Sequence, residues 1–215
     1  MRAVDEYQKL LKISFLNSYQ QNLDLWSKDE GLTEIAQIFA TAVEDKFTHG
    51  KVLDIGCGNG RHSKLFDSNY HYTGLDLISN NEWGRVEEER EKVDFIQEDF
   101  LFSTKDIGYY EGILDNGCFH HQDPSKYTDY LTKVRNSLVD NGLFMLGVYS
   151  TGERENKGQF KTLPSGKYKK VFSGGEIEEL LNKHNFNIEK SYYIYNEQRS
   201  RYYMGILCKV NSDNL

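Results

Sequence analysis

The sequence predicts an α/β fold with a doubly wound, mostly parallel sheet and a helical N-terminal cap, on three observations. Short apolar runs alternate with amphipathic or charged segments between residues 51 and 150. The first run ends in a glycine-rich turn, which is typical of a strand that leads directly into a helix. The first 48 residues show helical periodicity instead. Alternating strands and helices favour a parallel sheet covered on both faces, which binds ligands at the carboxyl ends of its strands.

The N-terminal cap, residues 1–48, is predicted to contain two helices. Leu32, Ile35 and Phe39 recur at three- and four-residue steps and therefore share one helix face. Apolar residues between Tyr7 and Tyr19 indicate a second helix by the same spacing, although the pattern is weaker.

A single domain is predicted for residues 1–215, because a chain of 215 residues has the length of one domain and no proline-rich linker divides it. Within it we expect a helical cap at 1–48 and a ligand-binding core at 49–150. A substrate-side excursion and the C-terminal strands are expected at 151–215.

The core is predicted to contain five strands separated by helices. The strands are expected at 51–55, 71–77, 93–97, 111–116 and, after the turn Asn141-Gly142, 143–150. The helices are expected at about 61–66, at 82–92, and from Asp123 to Leu138 with Pro124 in the first turn.

The C-terminal part is predicted to begin with a long polar loop at 151–170. Six basic residues against two acidic ones give this segment a local charge of +4, so it is either a solvated loop or an attractor for an anionic ligand. Ser173 and Glu176 form a capping-box pattern before a helix at 177–183. Tyrosine-rich strands near 187–195 and 201–210 are expected to form an antiparallel hairpin.

Composition excludes several classes of protein. The 33 acidic residues outnumber the 26 basic ones, and a net charge of −7 argues against a dedicated nucleic-acid binder. Three scattered cysteines suit neither a disulfide framework nor a zinc site, and no metal site is expected. No signal-peptide pattern and no apolar run near the ~18 residues of a membrane span occur, so we expect a cytoplasmic protein.

The segment VLDIGCGNGRHS at 52–63 predicts a nucleotide-type ligand site. Its glycines allow the backbone to approach a ligand closely, and the helix that follows offers free N–H groups. A dinucleotide site of the NAD type is the alternative, but its fingerprint requires glycine where Arg61 stands. Asp54 at the strand end would also repel a pyrophosphate and suits a cationic amino acid end instead.

Two further acidic residues strengthen this prediction. Asp76 closes the second strand, 20 residues after Gly56, where a carboxylate accepts hydrogen bonds from two ribose hydroxyls. Asp99 follows the third strand with Phe100 beside it, an acceptor and a ring that fit an adenine. The alternatives are an ordinary loop carboxylate for Asp76 and a helix cap for Asp99.

Four motifs in this order resemble those of the class I S-adenosylmethionine-dependent methyltransferases. They are LDIGCGNG at 53–60, TGLDL at 73–77, FIQEDF at 95–100 and ILDNGCFHH at 113–121. The resemblance implies a Rossmann-like sheet of seven strands with an antiparallel C-terminal strand. It also implies methyl transfer from S-adenosylmethionine, with S-adenosylhomocysteine as the product.

The resemblance further assigns cofactor-binding residues from the methionine end to the adenine. They are Asp54, Gly56, Cys57 and Gly58 at the methionine part, Asp76 at the ribose, Leu77, Asp99 and Phe100 at the adenine, and Asp115 and Asn116 near the sulfonium.

The acceptor is expected to be a small molecule rather than a nucleic acid, because the Asn-Pro-Pro-aromatic signature of DNA methyltransferases is absent and GCFHH resembles small-molecule members. No membrane partner is expected. Candidate substrate residues are Tyr19, Trp26, Phe119, His121 and Tyr149. Plain helix packing is the alternative for Tyr19 and Trp26. The sequence predicts no oligomeric state.

His120 is the candidate catalytic residue, as a general base for an acceptor that arrives protonated. Packing or capping is the alternative for both histidines of the pair. Cys118 is expected to be structural, because methyl transfer needs no covalent intermediate. Two other functions stay open: a NAD-type oxidoreductase and a non-catalytic cofactor-binding protein.

Overall fold

The computed structural model describes residues 6–21, 23 and 26–210, in which nine strands and five α-helices occur. The strands are β1 Gly50–Ile55, β2 Tyr70–Asp76, β3 Val93–Gln97, β4 Tyr110–Asn116, β5 Leu138–Ser150, β6 Gln159–Thr162, β7 Tyr168–Val171, β8 Phe186–Asn196 and β9 Arg201–Val210. The helices are α1 Glu6–Gln20, α2 Glu30–Lys46, α3 Trp83–Glu89, α4 Tyr127–Asn136 and α5 Gly174–Lys183. The predicted cap also includes residues 1–5, 22, 24 and 25, which lie outside the described residues.

Seven of the strands form one sheet in the order β3-β2-β1-β4-β5-β9-β8. The strands from β1 to β5 pair in parallel, whereas β9 is antiparallel to both β5 and β8. The predicted mostly parallel, seven-stranded sheet with an antiparallel C-terminal strand is thereby confirmed. The parallel order reverses at β1 and β4, and the ends of these two strands open a crevice for a ligand.

Helices cover both faces of the sheet, which explains why its central strands are continuous apolar runs. On one face, Leu131 of α4 and Ile177 of α5 are fully buried. On the other face, Ile35, Phe39 and Val43 of α2 are fully buried, as the helical spacing predicted. Within the described ranges, no helix has the length and apolarity needed to cross a membrane.

Three predicted core helices are shorter than expected. The segment after the glycine turn forms a 3-10 turn, Arg61–Leu65, because Phe66 turns into the core and β2 begins soon after it. The helix predicted at 82–92 ends at Glu89, where the backbone becomes extended. The helix predicted from Asp123 to Leu138 starts with a 3-10 turn at Pro124–Lys126 and ends at Asn136.

The largest departure from prediction is the segment 151–170, which contains a two-stranded antiparallel sheet instead of a plain loop. β6 and β7 pair from Gln159–Val171 to Thr162–Tyr168, and Gly166 adopts a left-handed φ of +81° in the turn between them. We call residues 159–171 the β6–β7 hairpin. In contrast, the capping box of Ser173 and Glu176 is present as predicted.

A buried carboxylate fastens helix α2 to the C-terminal strands. Asp29 caps the helix by accepting a hydrogen bond from the Gly31 amide at 3.1 Å. It also accepts hydrogen bonds from Asn196 Nδ2 at 2.8 Å and Tyr203 Oη at 2.5 Å, and Arg199 pairs with it at 3.2 Å. Because a buried group left without its partner costs about 1–3 kcal/mol, this cluster holds the cap firmly on the sheet.

Candidate active site

The main cavity lies at the carboxyl ends of β1, β2 and β4 and is open to solvent at its mouth. Twelve of the residues predicted to form the site line this cavity: Tyr19, Trp26, Gly56, Gly58, Asp76, Leu77, Asp99, Phe100, Asn116, His120, His121 and Tyr149.

The turn after β1 requires glycine for two different reasons. Gly56 has a φ of +73°, and a Cβ there would lie 1.9 Å from the sulfur of Cys118, so packing excludes any side chain. Gly58 has a φ of +57°, and a Cβ there would enter the cavity 3.4 Å from Tyr19 Oη. The amide of Gly58 donates to Asp76 Oδ2 at 2.9 Å, which ties the turn to the end of β2.

Gly58→Ala is therefore expected to weaken ligand binding in this cavity by about tenfold or more and to cost about 1–2 kcal/mol of stability for the left-handed backbone. Calorimetric titration with S-adenosylhomocysteine and thermal unfolding measure the two effects. Gly108→Ala is the matched control, because Gly108 has a similar φ of +82° and open space around its Cβ position. Equal affinities of the two variants would contradict a cavity-facing role for Gly58.

Asp76 lies at the centre of the cavity lining and keeps acceptor capacity for a ligand. Its Oδ2 accepts from the Gly58 amide and its Oδ1 accepts from the Ile78 amide at 3.0 Å, which leaves each oxygen a second lone pair. Burial raises the pKa of this carboxyl group to about 6, so it is mostly ionised at neutral pH. Two oriented carboxylate oxygens of this kind suit a pair of neighbouring hydroxyl groups.

Asp54 lies beneath the glycine turn rather than in the cavity lining, and it is only 1 % exposed. Its Oδ2 accepts from Tyr72 Oη at 2.6 Å and from His62 Nδ1 at 2.9 Å. Asp54 therefore supports the turn from below through Oδ2, whereas its buried Oδ1 has no partner among the described residues, and its contact with a ligand stays a prediction. Cys57, the buried residue within the turn, also lies behind the lining.

Asp115 is also fully buried behind the cavity lining, where it shapes the turn after β4. Its Oδ1 accepts from the amides of Cys118 and Phe119 at 2.8 and 3.2 Å, and its Oδ2 accepts from Tyr130 Oη at 2.6 Å. Burial raises the pKa of Asp115 to about 6. This carboxylate therefore positions the turn that carries the two histidines and makes no direct contact with the cavity.

Phe119, predicted to contact the substrate, belongs to the core instead. It has no exposed surface, and its ring stacks on Tyr127 at 4.4 Å and on Phe172 at 6.0 Å. Cys118 borders the cavity, but burial raises the pKa of its thiol well above the usual value, so it remains protonated. A protonated thiol agrees with the structural role expected for it.

The end of the cavity after β2 and β3 combines apolar and acidic groups. Leu77 and Phe100 line it, and Phe100 packs against Tyr130 with ring centroids 5.0 Å apart. Asp99 Oδ1 accepts from the amides of Leu101 and Phe102 at 2.9 and 3.2 Å. Asp99 therefore caps a turn, which was the alternative, and lines the cavity as well.

Unsatisfied polar atoms mark the opposite end of the cavity, beside the glycine turn. Five buried side-chain atoms of the described residues have no hydrogen-bond partner, and three of them belong to residues that line the cavity: Arg61 Nε, His62 Nε2 and Asn116 Oδ1. Asn116 Nδ2 donates to the Leu32 carbonyl at 2.6 Å, which fixes the amide with its oxygen unpaired. Because a buried polar atom without a partner is costly, a donor and an acceptor left open here fit the carboxylate and ammonium of an amino acid end.

The two histidines are uncharged and are held in opposite tautomers. Burial lowers the pKa of His120 well below its usual value and that of His121 to about 3. His120 Nδ1 accepts from the Tyr149 amide at 3.4 Å, so its Nε2 carries the proton. His121 Nδ1 donates to the Tyr168 carbonyl at 2.7 Å, so its Nε2 carries the lone pair. Of the two, His121 is thus the one that can accept a proton at Nε2.

Helix α1 lines one side of the cavity and packs against the β6–β7 hairpin, and we call these two elements the roof. Tyr7 stacks on Tyr168 at 4.2 Å and donates to the His121 carbonyl at 2.5 Å, and Gln8 Nε2 donates to Gln122 Oε1 at 2.9 Å. These contacts join the roof to the turn after β4.

Sequence analysis missed several cavity-lining residues, including Gln8, Leu11, Phe15, Arg61 and His62. The three from α1 share the predicted face that carries Tyr19, so their periodicity was a usable signal. Arg61 and His62 follow the glycine turn directly, but nothing in the local pattern shows which way their side chains point.

Comparison with known proteins agrees with this architecture. Residues 25–191 match the family described as Methyltransferase domain. The structure superimposes on 1,6-didemethyltoxoflavin-N1-methyltransferase of Burkholderia thailandensis with a TM-score of 0.88. The two sequences are 24 % identical, and the match covers 99 % of this chain and 92 % of that one. That enzyme was solved with 1,6-didemethyltoxoflavin and S-adenosylhomocysteine bound. The glycopeptide N-methyltransferase MtfA superimposes with a TM-score of 0.63 at 16 % identity, over 84 % and 94 % of the two chains.

Two curated proteins show similarity in sequence. An uncharacterized methyltransferase of Schizosaccharomyces pombe is 28 % identical over 112 residues, which is 49 % of this chain and 76 % of that protein. The sphingolipid C9-methyltransferase of Candida albicans is 31 % identical over 171 residues, which is 72 % of this chain and 33 % of that protein. The chain therefore belongs to the methyltransferase domain family, and its identification as a class I S-adenosylmethionine-dependent methyltransferase is confirmed.

Proposed function

We propose that this methyltransferase transfers the methyl group of S-adenosylmethionine to a small-molecule acceptor and releases S-adenosylhomocysteine. The observation that carries the proposal is one cavity that is lined by the glycine turn, Asp76 and two neutral histidines. Residues 49–150 would hold the cofactor, whereas the cap and the β6–β7 hairpin would hold the acceptor.

The described side chains suit each part of the cofactor. The unpaired Nε–H of Arg61 would donate to the carboxylate of its methionine end, and the unpaired Oδ1 of Asn116 would accept from the ammonium group. Asp76 would accept from both ribose hydroxyls, and Leu77 and Phe100 would flank the adenine. The bound cofactor supplies an electrophilic methyl group, and the contribution of the protein is to hold the acceptor in line with it.

A small acceptor is supported by the roof, because α1 and the β6–β7 hairpin reach the turn after β4 and narrow the access to the cavity. Aromatic rings of Phe15, Tyr19, Trp26 and Tyr149 line the space beneath it. A flat or apolar molecule therefore fits best. The Burkholderia enzyme, by its name, acts on such a small molecule, 1,6-didemethyltoxoflavin.

We assign the proton-accepting role to His121 and a hydrogen-bond-donating role to His120, for an acceptor whose nucleophilic atom arrives protonated. The carbonyl of Tyr168 fixes His121 with its Nε2 lone pair available. Because the pKa of His121 is low, it is a weak base, and orientation of the nucleophile is the larger part of its effect.

Calorimetric titration with S-adenosylhomocysteine tests the proposal, with NAD as the comparison ligand. We expect micromolar binding of S-adenosylhomocysteine and none of NAD, followed by methyl transfer to some thiol, amine or acid in a screen. Binding of NAD alone would contradict the proposal. Tight S-adenosylhomocysteine binding with no turnover of any acceptor would indicate a non-catalytic cofactor-binding protein.

A further inference from the structure

Three cationic side chains surround the acceptor side of the cavity. Lys167 Nζ lies 4.0 Å from the ring centroid of Phe15, and Lys169 Nζ lies 4.5 Å from that of Tyr149. The guanidinium of Arg201, at the start of β9, lies 5.2 Å from the centroid of the same Tyr149 ring. Both rings line the cavity, and the three cations lie against those rings, with Lys169 and Arg201 in a second cleft that shares Tyr149 with the cavity.

These three cations have no carboxylate partner within the described part of the chain. Ion pairs engage other cations nearby: Lys170 pairs with Glu176 at 3.1 Å, and Arg199 pairs with Asp29 at 3.2 Å. No ion pair involves Lys167, Lys169 or Arg201 among residues 6–21, 23 and 26–210. Lys170 and Arg199 are thus neutralised by carboxylates, whereas the three cations beside the rings are not.

Holding these charges together is unfavourable in the free protein. Partial burial lowers the pKa of both Lys167 and Lys169, and Arg201 adds to the repulsion at Lys169. The nearby cations also help to keep His120 uncharged. The whole chain has a net charge of −7, but this uncompensated cluster creates a local positive potential. Such a potential attracts an anion, which would neutralise the cluster.

We infer that the methyl acceptor is an anion, with an apolar or aromatic body under the roof and its negative group between Lys167, Lys169 and Arg201. This inference rests on the proposed function and specifies its substrate class. A second cleft shares Tyr149 with the main cavity and is lined by Lys157, Lys169 and Arg201, so it offers the anionic group a space beside the same ring. A cationic amine would be repelled by the same cluster.

Matched aromatic probes test the charge preference on the protein saturated with S-adenosylhomocysteine. The probes are 2-naphthoate, 2-naphthyl phosphate, 2-naphthamide and 2-naphthylmethylammonium, titrated by calorimetry. We expect at least one anion to bind about tenfold or more tightly than the amide, and the ammonium to bind most weakly. The two anions show whether the cluster prefers a carboxylate or a phosphate.

The double variant Lys167→Met/Lys169→Met keeps the apolar stems of both side chains and removes their charge. It is expected to lose the preference for the anion while its affinity for S-adenosylhomocysteine stays unchanged. Lys183→Met is the control, because this exposed lysine lies on α5 outside both cavities and its removal leaves the preference intact.

The inference and the proposed function fail in different ways. Equal binding of anion and amide to the loaded protein, or no binding of either anion at millimolar concentration, would overturn the inference and leave the cofactor assignment standing. Absence of S-adenosylhomocysteine binding would overturn the proposed function, and the same titrations on the free protein would then decide the charge preference alone.

Discussion

Asp76→Ala is expected to weaken the binding of S-adenosylhomocysteine by about 10- to 150-fold, which corresponds to the loss of charge-assisted hydrogen bonds worth about 1.5–3 kcal/mol. The structure supports this size, because both carboxylate oxygens are already oriented by the amides of Gly58 and Ile78. Calorimetric titration measures the effect. Asp94→Ala is the control, since Asp94 is an exposed carboxylate on β3 that pairs only with His71.

The pH dependence of cofactor binding provides a second readout for the same residue. Burial raises the pKa of Asp76 to about 6, and only the ionised carboxylate accepts from two hydroxyls. Affinity is therefore expected to be constant above about pH 7 and to fall by up to about tenfold per unit below pH 6. A wild-type affinity that is flat from pH 5 to 8, or an unchanged Kd in a folded Asp76→Ala protein, would rule out the ribose contact.

His121→Ala is expected to slow methyl transfer by about 100-fold, the lower end of the range for a positioned proton acceptor, because a group with a pKa near 3 is a weak base. The measurement is kcat with the acceptor found in the screen. Affinity for S-adenosylhomocysteine should change little. The rate should show no acid-side decline from His121 between pH 5 and 8, because its Nε2 is unprotonated throughout that range.

His120→Ala separates the two roles within the pair. If His121 accepts the proton, added imidazole should restore part of the rate to His121→Ala and none to His120→Ala. The reverse pattern would return the base to His120, as the sequence first suggested. Equal losses without rescue in either variant would show that both side chains only pack beneath the roof, with Tyr149 against them.

Much of the fold followed from the sequence because its signals are local. The strands predicted at 93–97 and 111–116 are apolar runs bounded by polar residues, and the structure has β3 and β4 there. The glycine turn was equally visible, since the left-handed backbone of Gly56 and Gly58 restricts the residue type. The β6–β7 hairpin was missed because its residues are mostly polar and are held by distant partners such as Tyr7.

The sequence showed which residues lie near the site better than it showed which of their side chains point into the cavity. Asp76 and Asn116 end the strands on either side of β1 and do line the cavity, whereas Asp54 and Asp115 are turned beneath it by bonds to Tyr72 and Tyr130. Those partners lie on other elements of the fold, so no local pattern could show the difference. The cation cluster is likewise assembled from two segments that are far apart in sequence.

The interior position of β9 has a consequence for the order in which the molecule is made. Synthesis proceeds from the N-terminus, yet the last strand of the sheet lies between β5 and β8 and is the only sheet neighbour of β8 among the described strands. Tyr203 on β9 and Asn196 on β8 also complete the bonds of Asp29 at the start of α2. A nascent chain that has emerged from the ribosome only as far as residue 200 lacks β9. Its β8 therefore has no sheet partner, and Asp29 at the start of α2 lacks the hydrogen bond from Tyr203. Ligand-binding competence is therefore expected only after β9 has been synthesised, rather than as the cofactor motifs emerge.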